Sequence, residues 1–203
     1  MQDRGWEADE LAAFLKSVEG DRLEAAWRVS AMTGMRRGEM LGLCWAAVDL
    51  GQGRLAVRNA IVNVAYEDLN STPKNQARVI DLDPLTVTML REHRRRQDAE
   101  RDGYESDEGL VFCREDGSPI HPQSFSQVFT RAVEKAGLRV IRLHDLRHTH
   151  ATIAVKAGVP VKGTSERLGH ESPAFTLKRY AHVMPGMQAE AAALIATELK
   201  SHA

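Results

Sequence analysis

Apolar residues first recur along this chain at helical spacing. Ala12, Leu15 and Val18, then Leu23, Trp27, Ser30 and Ala31, fall on the inner stripes of two amphipathic helices. Gly34, directly after Thr33, predicts the stop of the second, and a further helix carrying Met40, Leu41 and Leu43 follows Arg36. From Gly51 the period shortens. Leu55-Ala56-Val57, Ile61-Val62-Asn63-Val64 and Arg78-Val79-Ile80-Asp81-Leu82 are β-prone runs, with the polar turn Asn70-Ser71-Thr72-Pro73 before the last. They predict a small antiparallel sheet with Lys74 near its second turn. Pro84 opens another helix, with Leu85, Met89 and Leu90 on its apolar side and a charged end, REHRRRQDAER. Residues 102–121 read as loop with a short Leu110-Val111-Phe112 strand. Pro122 resumes helix through Phe125, Val128, Phe129 and Val133 to a stop at Gly137. The remainder is helical, broken at Gly158-Val159-Pro160, Gly169, Pro173 and Pro185-Gly186. With no repeat, linker or low-complexity tract, the pattern predicts one mainly α domain with a small antiparallel β-sheet.

Composition agrees with that class: 203 residues, 43% hydrophobic and 27% charged, suit one good-sized globular domain. No apolar run approaches the roughly 20 residues of a membrane span, and MQDRGWEADE is no signal peptide, so the expected compartment is the cytoplasm. Cys44 and Cys113 lie in apolar contexts, which predicts buried reduced thiols rather than a disulfide or a metal site. A net charge of −1 argues against a uniformly basic nucleic-acid binder. Its distribution points the other way, since Arg139 to Tyr180 holds eight Lys/Arg against three acids. A basic face on an acidic body fits a polyanion, although a solvated charged face would look similar.

The chemistry-bearing residues lie in short segments. At 100° per residue His144, Arg147, His148 and Ala151 share one face of a helix, while Leu146, His150, Ile153 and Ala157 lie opposite. One side is therefore expected to be buried, and the other to present His144 and Arg147 together. His150, on the apolar side, reads as a hydrogen-bonded core histidine. His144 and His148 have the spacing of metal ligands but no carboxylate partner to support that use. Ser172 is a good N-cap and Pro173 a good first helical residue, so a short helix should run to about Arg179 and leave Tyr180 at or just past its end. Glu39, three residues after Arg36 at a helix start, can orient that guanidinium or cap the helix. Taken singly, Tyr180 reads as a tyrosine closing a small core and the Arg–Glu pair as structural.

Together these segments resemble the tyrosine recombinase (phage integrase) family. TGMRRGEML is similar to its first arginine box, HDLRHTHAT to its HxxR box, and LGHESPAFTLKRYAHV to its LGH-to-tyrosine box. PKNQARVIDL is similar to the β-turn lysine segment, and order and spacing agree from about residue 8 to 185. The resemblance implies the family's DNA breaking-rejoining catalytic fold and metal-independent cleavage of double-stranded DNA at attachment or recombination sites. It implies that Tyr180 attacks the phosphate to form a 3′-phosphotyrosyl link, while Arg36 and Arg147 bind the non-bridging oxygens. Lys74 is then the general acid for the 5′-oxygen, His144 helps deprotonate the tyrosine or holds a phosphate oxygen, His170 donates a further hydrogen bond, and Glu39 holds Arg36. No cofactor or metal is implied, because the bond energy stays in the phosphotyrosine. The expected assembly is a monomer when free and a homo-oligomer, a tetramer, on DNA.

Only 35 residues precede Arg36, so the chain reads as a single catalytic domain over residues 1–203, with the family's upstream core-binding domain outside it. Residues 187–203 read as a tail helix, with Ala191, Leu194, Ile195 and Leu199 on its apolar side. The expectation is that it docks on a neighbouring subunit on DNA and folds back or is disordered otherwise. Gly163 and Thr164 stand where larger apolar residues are expected, which predicts a loosened helix there. The competing functions are type IB topoisomerase-like strand relaxation and a catalytically silent DNA-binding module. Integration is favoured by the phage-like wording of the boxes, and the complete set of six residues argues against silence.

Overall fold

In the computed structural model, the described residues are 5–58, 77–100, 109–170, 172–181, 192, 195–197 and 199–200. Three helices come first: α1 (Ala8–Ser17), α2 (Glu24–Thr33) and α3 (Arg37–Leu41). A 3₁₀ turn at Trp45–Ala47 leads to β1 (Val48–Asp49), β2 (Arg54–Val57) and β3 (Arg78–Asp81). Five helices follow: α4 (Pro84–Glu100), α5 (Pro122–Lys135), α6 (Leu143–Lys156), α7 (Val161–Leu168) and α8 (Pro173–Tyr180). The predicted class, mainly helical with a small antiparallel sheet, is what forms.

The main core is aromatic. Trp27 stacks on Phe125 with centroids 4.7 Å apart, and Phe14 meets Phe129 edge-on at 5.3 Å. Trp6 seals one end, its backbone N–H donating to Thr149 Oγ1 at 2.8 Å and its indole to the Arg139 carbonyl at 2.9 Å. The first bond ties Trp6 to α6 and the second ties it to the stretch that leads into α6. A smaller cluster of Ala151, Val155, Leu168 and Tyr180 lies where α6, α7 and α8 meet.

The sheet has the order β1-β2-β3, both pairs antiparallel, with Leu55 opposite Ile80 and Val57 opposite Arg78. Leu55, Val57 and Ile80 are buried while Val79 is exposed, the alternation expected of a half-buried strand. The Ile61–Val64 run and Lys74 lie outside the described residues.

Several stripes differ from the predicted ones. On α1 the buried residues are Leu11 and Phe14, and Ala12 is exposed. On α4 Leu85 is 54% exposed, and Thr86, Val87, Leu90, His93 and Gln97 are buried instead. The reason is polar. His93 Nε2 lies 2.6 Å from the Val111 carbonyl, and Gln97 Oε1 accepts from the Trp45 indole at 2.7 Å. Both satisfy groups beside the 110–113 segment, so the inner face of α4 carries residues that a hydrophobicity pattern assigns to solvent. Leu110-Val111-Phe112 forms no strand of its own. It is pinned by isolated bridges, Cys44 to Leu110 and Cys113 to Pro119, and by Val111 N–H donating to Leu43 O at 2.8 Å. Neither cysteine is in a disulfide, but only Cys113 is buried and Cys44 is half-buried. Around Gly163, α7 runs without a break and turns Thr164, Ser165 and Leu168 inward.

Among the described residues no helix is long and apolar enough to cross a membrane. Of the predicted tail helix, residues 192, 195–197 and 199–200 are helical, with Ile195 and Leu199 exposed; Ala191 and Leu194 lie outside the described residues.

Candidate active site

Two helix starts are built alike. At α3 the Glu39 carboxylate turns back to accept the Arg36 backbone N–H at 2.8 Å and Arg36 Nη1 at 3.1 Å. At α6 Asp145 does the same for Arg142, at 3.0 Å from its N–H and 2.9 Å from Nη2. In each, an acid three residues into the helix closes a free backbone donor and fixes an arginine. Glu39 goes further, because it is only 2% exposed and also receives a fork from Arg78, Nη1 to Oε1 at 3.0 Å and Nη2 to Oε2 at 2.8 Å. Burial alone would raise the Glu39 carboxyl. The bonds and charges of Arg78, with those of Arg36, outweigh it and hold the group below the usual carboxylate range. Arg78 in turn donates Nε to the Arg167 carbonyl at 2.9 Å, joining β3 to the end of α7.

Arg147, 4% exposed, spans two helix ends. Its Nη1 donates to Gly34 O and its Nη2 to Leu168 O, each at 2.7 Å. Gly34 is the left-handed C-cap of α2 (φ 62°) and Leu168 the last residue of α7, so the cation sits on the negative ends of both helices. A Cβ at Gly34 would lie 2.6 Å from Leu168 and 2.9 Å from His150, which leaves no room for a side chain. Burial, then the Arg36 charge, pushes Arg147 down to about 9, still cationic at neutral pH. Half-buried Arg36 reaches the same strand of chain, Nη2 lying 3.4 Å from Gly169 O. The two guanidinium groups thus converge on the turn after α7.

That turn carries His170. Gly169 caps α7 at φ 65°, and a Cβ there would strike the Arg78 guanidinium at 2.8 Å. His170 Nδ1 lies 2.6 Å from Thr176 Oγ1, and Phe175 meets its ring edge-on at 5.0 Å. Partial burial, then Arg147 and Arg36, pushes it down to about 4, so it is neutral at neutral pH. His144 stands at the start of α6; loss of water around its ring, then the Arg147 charge, also lowers it. Ser172 caps α8 as predicted, accepting Phe175 N–H at 3.4 Å, and Tyr180 is the last residue of that helix. It is 2% exposed, and its hydroxyl lies 2.9 Å from His148 Nδ1.

Arg36, Glu39, Arg147 and His170 are therefore brought together directly, with Tyr180 reached through His148, while Lys74 lies outside the described residues. One expectation needs correction. The Arg147 face of α6 is not an open face: α7 and α8 pack on it, and Arg147 and Ala151 are buried. The opposite face holds His150, Nδ1 2.9 Å from Ala31 O, hydrogen-bonded as expected. Arg78 and His148, to which the sequence alone assigns no part in the chemistry, also reach these groups. Both had a signal: Arg78 alternates with Ile80 on the inward side of β3, and His148 shares the face of His144 and Arg147.

The chain matches the phage integrase family over residues 5–186. It belongs to that family. It is 32% identical over 200 residues to a tyrosine recombinase XerC-like protein of Caldanaerobacter subterraneus subsp. tengcongensis, covering 90% of this chain and 51% of that protein. It is 28% identical over 194 residues to the ICEBs1 integrase of Bacillus subtilis, covering 92% and 52%. The chain thus spans about half the length of these relatives. Among solved structures, the Tn1549 transposon integrase in complex with transposon right end DNA superposes with a TM-score of 0.78 at 22% identity, over 96% of this chain and 67% of that one. The catalytic domain of bacteriophage HP1 integrase does so with 0.64 at 19%, over 94% of each. The expected fold, that of a tyrosine recombinase catalytic domain, is borne out.

Burial of a core histidine, His150, and of His170 predicts a pH dependence of the integrase fold. His150 is pushed down to about 4 by burial, then by Arg167, as His170 is by its surroundings. The unfolded chain, with ordinary histidines near 6.5, then binds protons that the fold refuses. Stability should be full above that value and fall as pH drops from 6.5 towards 4. His93 and His144 are lowered too, so replacing His150 with leucine should reduce the slope by about one proton and leave the part set by His93, His144 and His170. Urea midpoints measured across this window check it, and a His150→Leu slope equal to the parent's would sink the idea.

Proposed function

We propose that this chain is the catalytic domain of a site-specific DNA recombinase, an integrase of a phage or mobile element. The observation that carries the reading is the convergence of Arg36 and Arg147 on one turn, beside a helix ending in Tyr180. Two fixed guanidinium groups suit the non-bridging oxygens of a phosphodiester and the charge of a phosphorane-like transition state, a term worth several kcal/mol. The Tyr180 oxygen attacks phosphorus, a 3′-phosphotyrosyl bond forms, and the bond to the 5′-oxygen breaks. The departing oxygen takes a proton from Lys74, while the phenolic proton passes to His144. His170 adds a hydrogen bond to the phosphate, and Glu39 keeps Arg36 aimed. Reversal onto a new 5′-hydroxyl rejoins the strand without ATP or a metal.

The partner is double-stranded DNA, on which the chain acts as a homo-oligomer, a tetramer, in the cytoplasm. Residues 187–203 supply a tail helix that docks on a neighbouring copy, a reading supported by the exposed Ile195 and Leu199. The test incubates the full-length protein with nicked suicide duplexes tiled across the DNA flanking its gene, followed by a denaturing gel. A covalent adduct that disappears in Tyr180→Phe is expected; no adduct on any duplex overturns the reading. Relaxation of supercoils without strand exchange would place the chemistry with topoisomerases instead.

A further inference from the structure

We propose that His148 is a catalytic residue of this site, donating a hydrogen bond to the Tyr180 oxygen, with Arg179 fixing which ring nitrogen carries the proton. The inference rests on Tyr180 being the nucleophile. His148 follows Arg147 on α6 and lies between two side chains of α8. Its Nδ1 is 2.9 Å from the Tyr180 hydroxyl oxygen, and its Nε2 is 3.3 Å from Arg179 Nη2. A guanidinium has donors and no acceptor, so in the second contact Nε2 must accept. A neutral imidazole holds a single N–H, and with Nε2 accepting, that proton sits on Nδ1 and points at the phenol oxygen. An imidazolium would set N–H against N–H at Arg179, so the contact also disfavours a second proton on the ring.

The consequence for chemistry is specific. In this tautomer His148 has no lone pair facing Tyr180 and is not its base. It holds the phenol by its oxygen and leaves the phenolic proton free to depart elsewhere, to His144 in the reading above, whose ring stands 5.1 Å from that of His148. As Tyr180 ionises, the Nδ1–H···O contact becomes charge-assisted and favours the phenolate, the form that attacks phosphorus. Arg179, exposed at the end of α8, adds its charge through the ring without touching the nucleophile.

Four variants separate donor from base. His148→Asn keeps an N–H at the Nδ1 position but cannot take up a proton, and His148→Phe keeps neither. Arg179→Gln keeps a donor to Nε2, and Arg179→Leu does not. Two readouts are used on the full-length protein: the rate of adduct formation on the nicked duplexes, and the ¹³Cζ-tyrosine NMR titration of Tyr180 without DNA. Adduct formation should fall about 100-fold in His148→Phe, the usual loss for one charge-stabilising donor, and stay within about tenfold in His148→Asn. It should fall about tenfold in Arg179→Leu and recover in Arg179→Gln. The titration midpoint should rise in the Phe and Leu variants and less in the other two. An Asn variant as slow as Phe would make His148 a base and overturn the proposal, as would four variants with unchanged rates and midpoints. If His148→Phe fails to fold, the exposed Arg179 pair still decides. A wild-type protein that forms no adduct overturns the recombinase reading, and the midpoints then still decide the hydrogen bond.

Discussion

Glu39→Leu should destabilise the fold by about 3–5 kcal/mol, a large share of the roughly 5–15 kcal/mol that holds a typical domain. The effect follows from what stays behind. Arg78, with a side chain only 9% exposed, would keep its charge and lose both bonds of its fork. The Arg36 backbone N–H would lose its acceptor as well. Breaking one side of a buried ion pair costs far more than the intact pair contributes, because the remaining ion stays desolvated. A double variant, Glu39→Leu with Arg78→Met, should therefore recover part of the loss, since an apolar pair replaces an ionic one. Urea denaturation of the two single variants and the double completes the cycle. A Glu39→Leu cost below about 1 kcal/mol, or a double variant worse than the sum, would mean that the pair is not the tie it looks like. The pH sign is set by the lowered carboxyl: its contribution is present above the ordinary carboxylate range and lost as acid protonates it.

The second large effect is on chemistry. Arg147→Lys should slow adduct formation by about 10²- to 10³-fold, the loss typical of removing one transition-state donor. An ammonium keeps the charge but not the fork, so it cannot hold Gly34 O and Leu168 O at 2.7 Å each while still facing a phosphate. The conservative substitution is thus not conservative here. Single-turnover cleavage measured beside DNA affinity checks it: the rate should fall far more than the affinity. A lysine variant within about threefold of the parent rate would mean that charge alone is used at this position.

Much of this fold was legible because its signals are local. Gly34 after Thr33, Pro122 and Ser172-Pro173 each force a backbone event whatever surrounds them, and α2, α5 and α8 stop or start there. The α4 stripe was not legible, because His93 and Gln97 are buried only by virtue of the groups they satisfy in a distant segment. The site divides in the same way. Arg36, His144, Arg147, His170 and Tyr180 come from motif spacing, and the fold seats Arg36 and Arg147 on the turn that carries His170. Arg78 and His148 depend on what lies opposite them across the fold. A sequence shows such residues as candidates but does not say which atom they reach.

Arg147 is seated on the ends of α2 and α7. Because Arg147 is a crossbrace as well as the proposed phosphate ligand, evolution cannot discard the chemistry at that position without loosening the scaffold. Tyr180 carries no such double duty on the main core, since it packs in the smaller cluster where α6, α7 and α8 meet. Relatives drifting towards inactivity should then lose the tyrosine first and keep the arginine long after cleavage has gone. An intact arginine box in a decayed element would record the demands of folding, and the tyrosine alone would report a living enzyme.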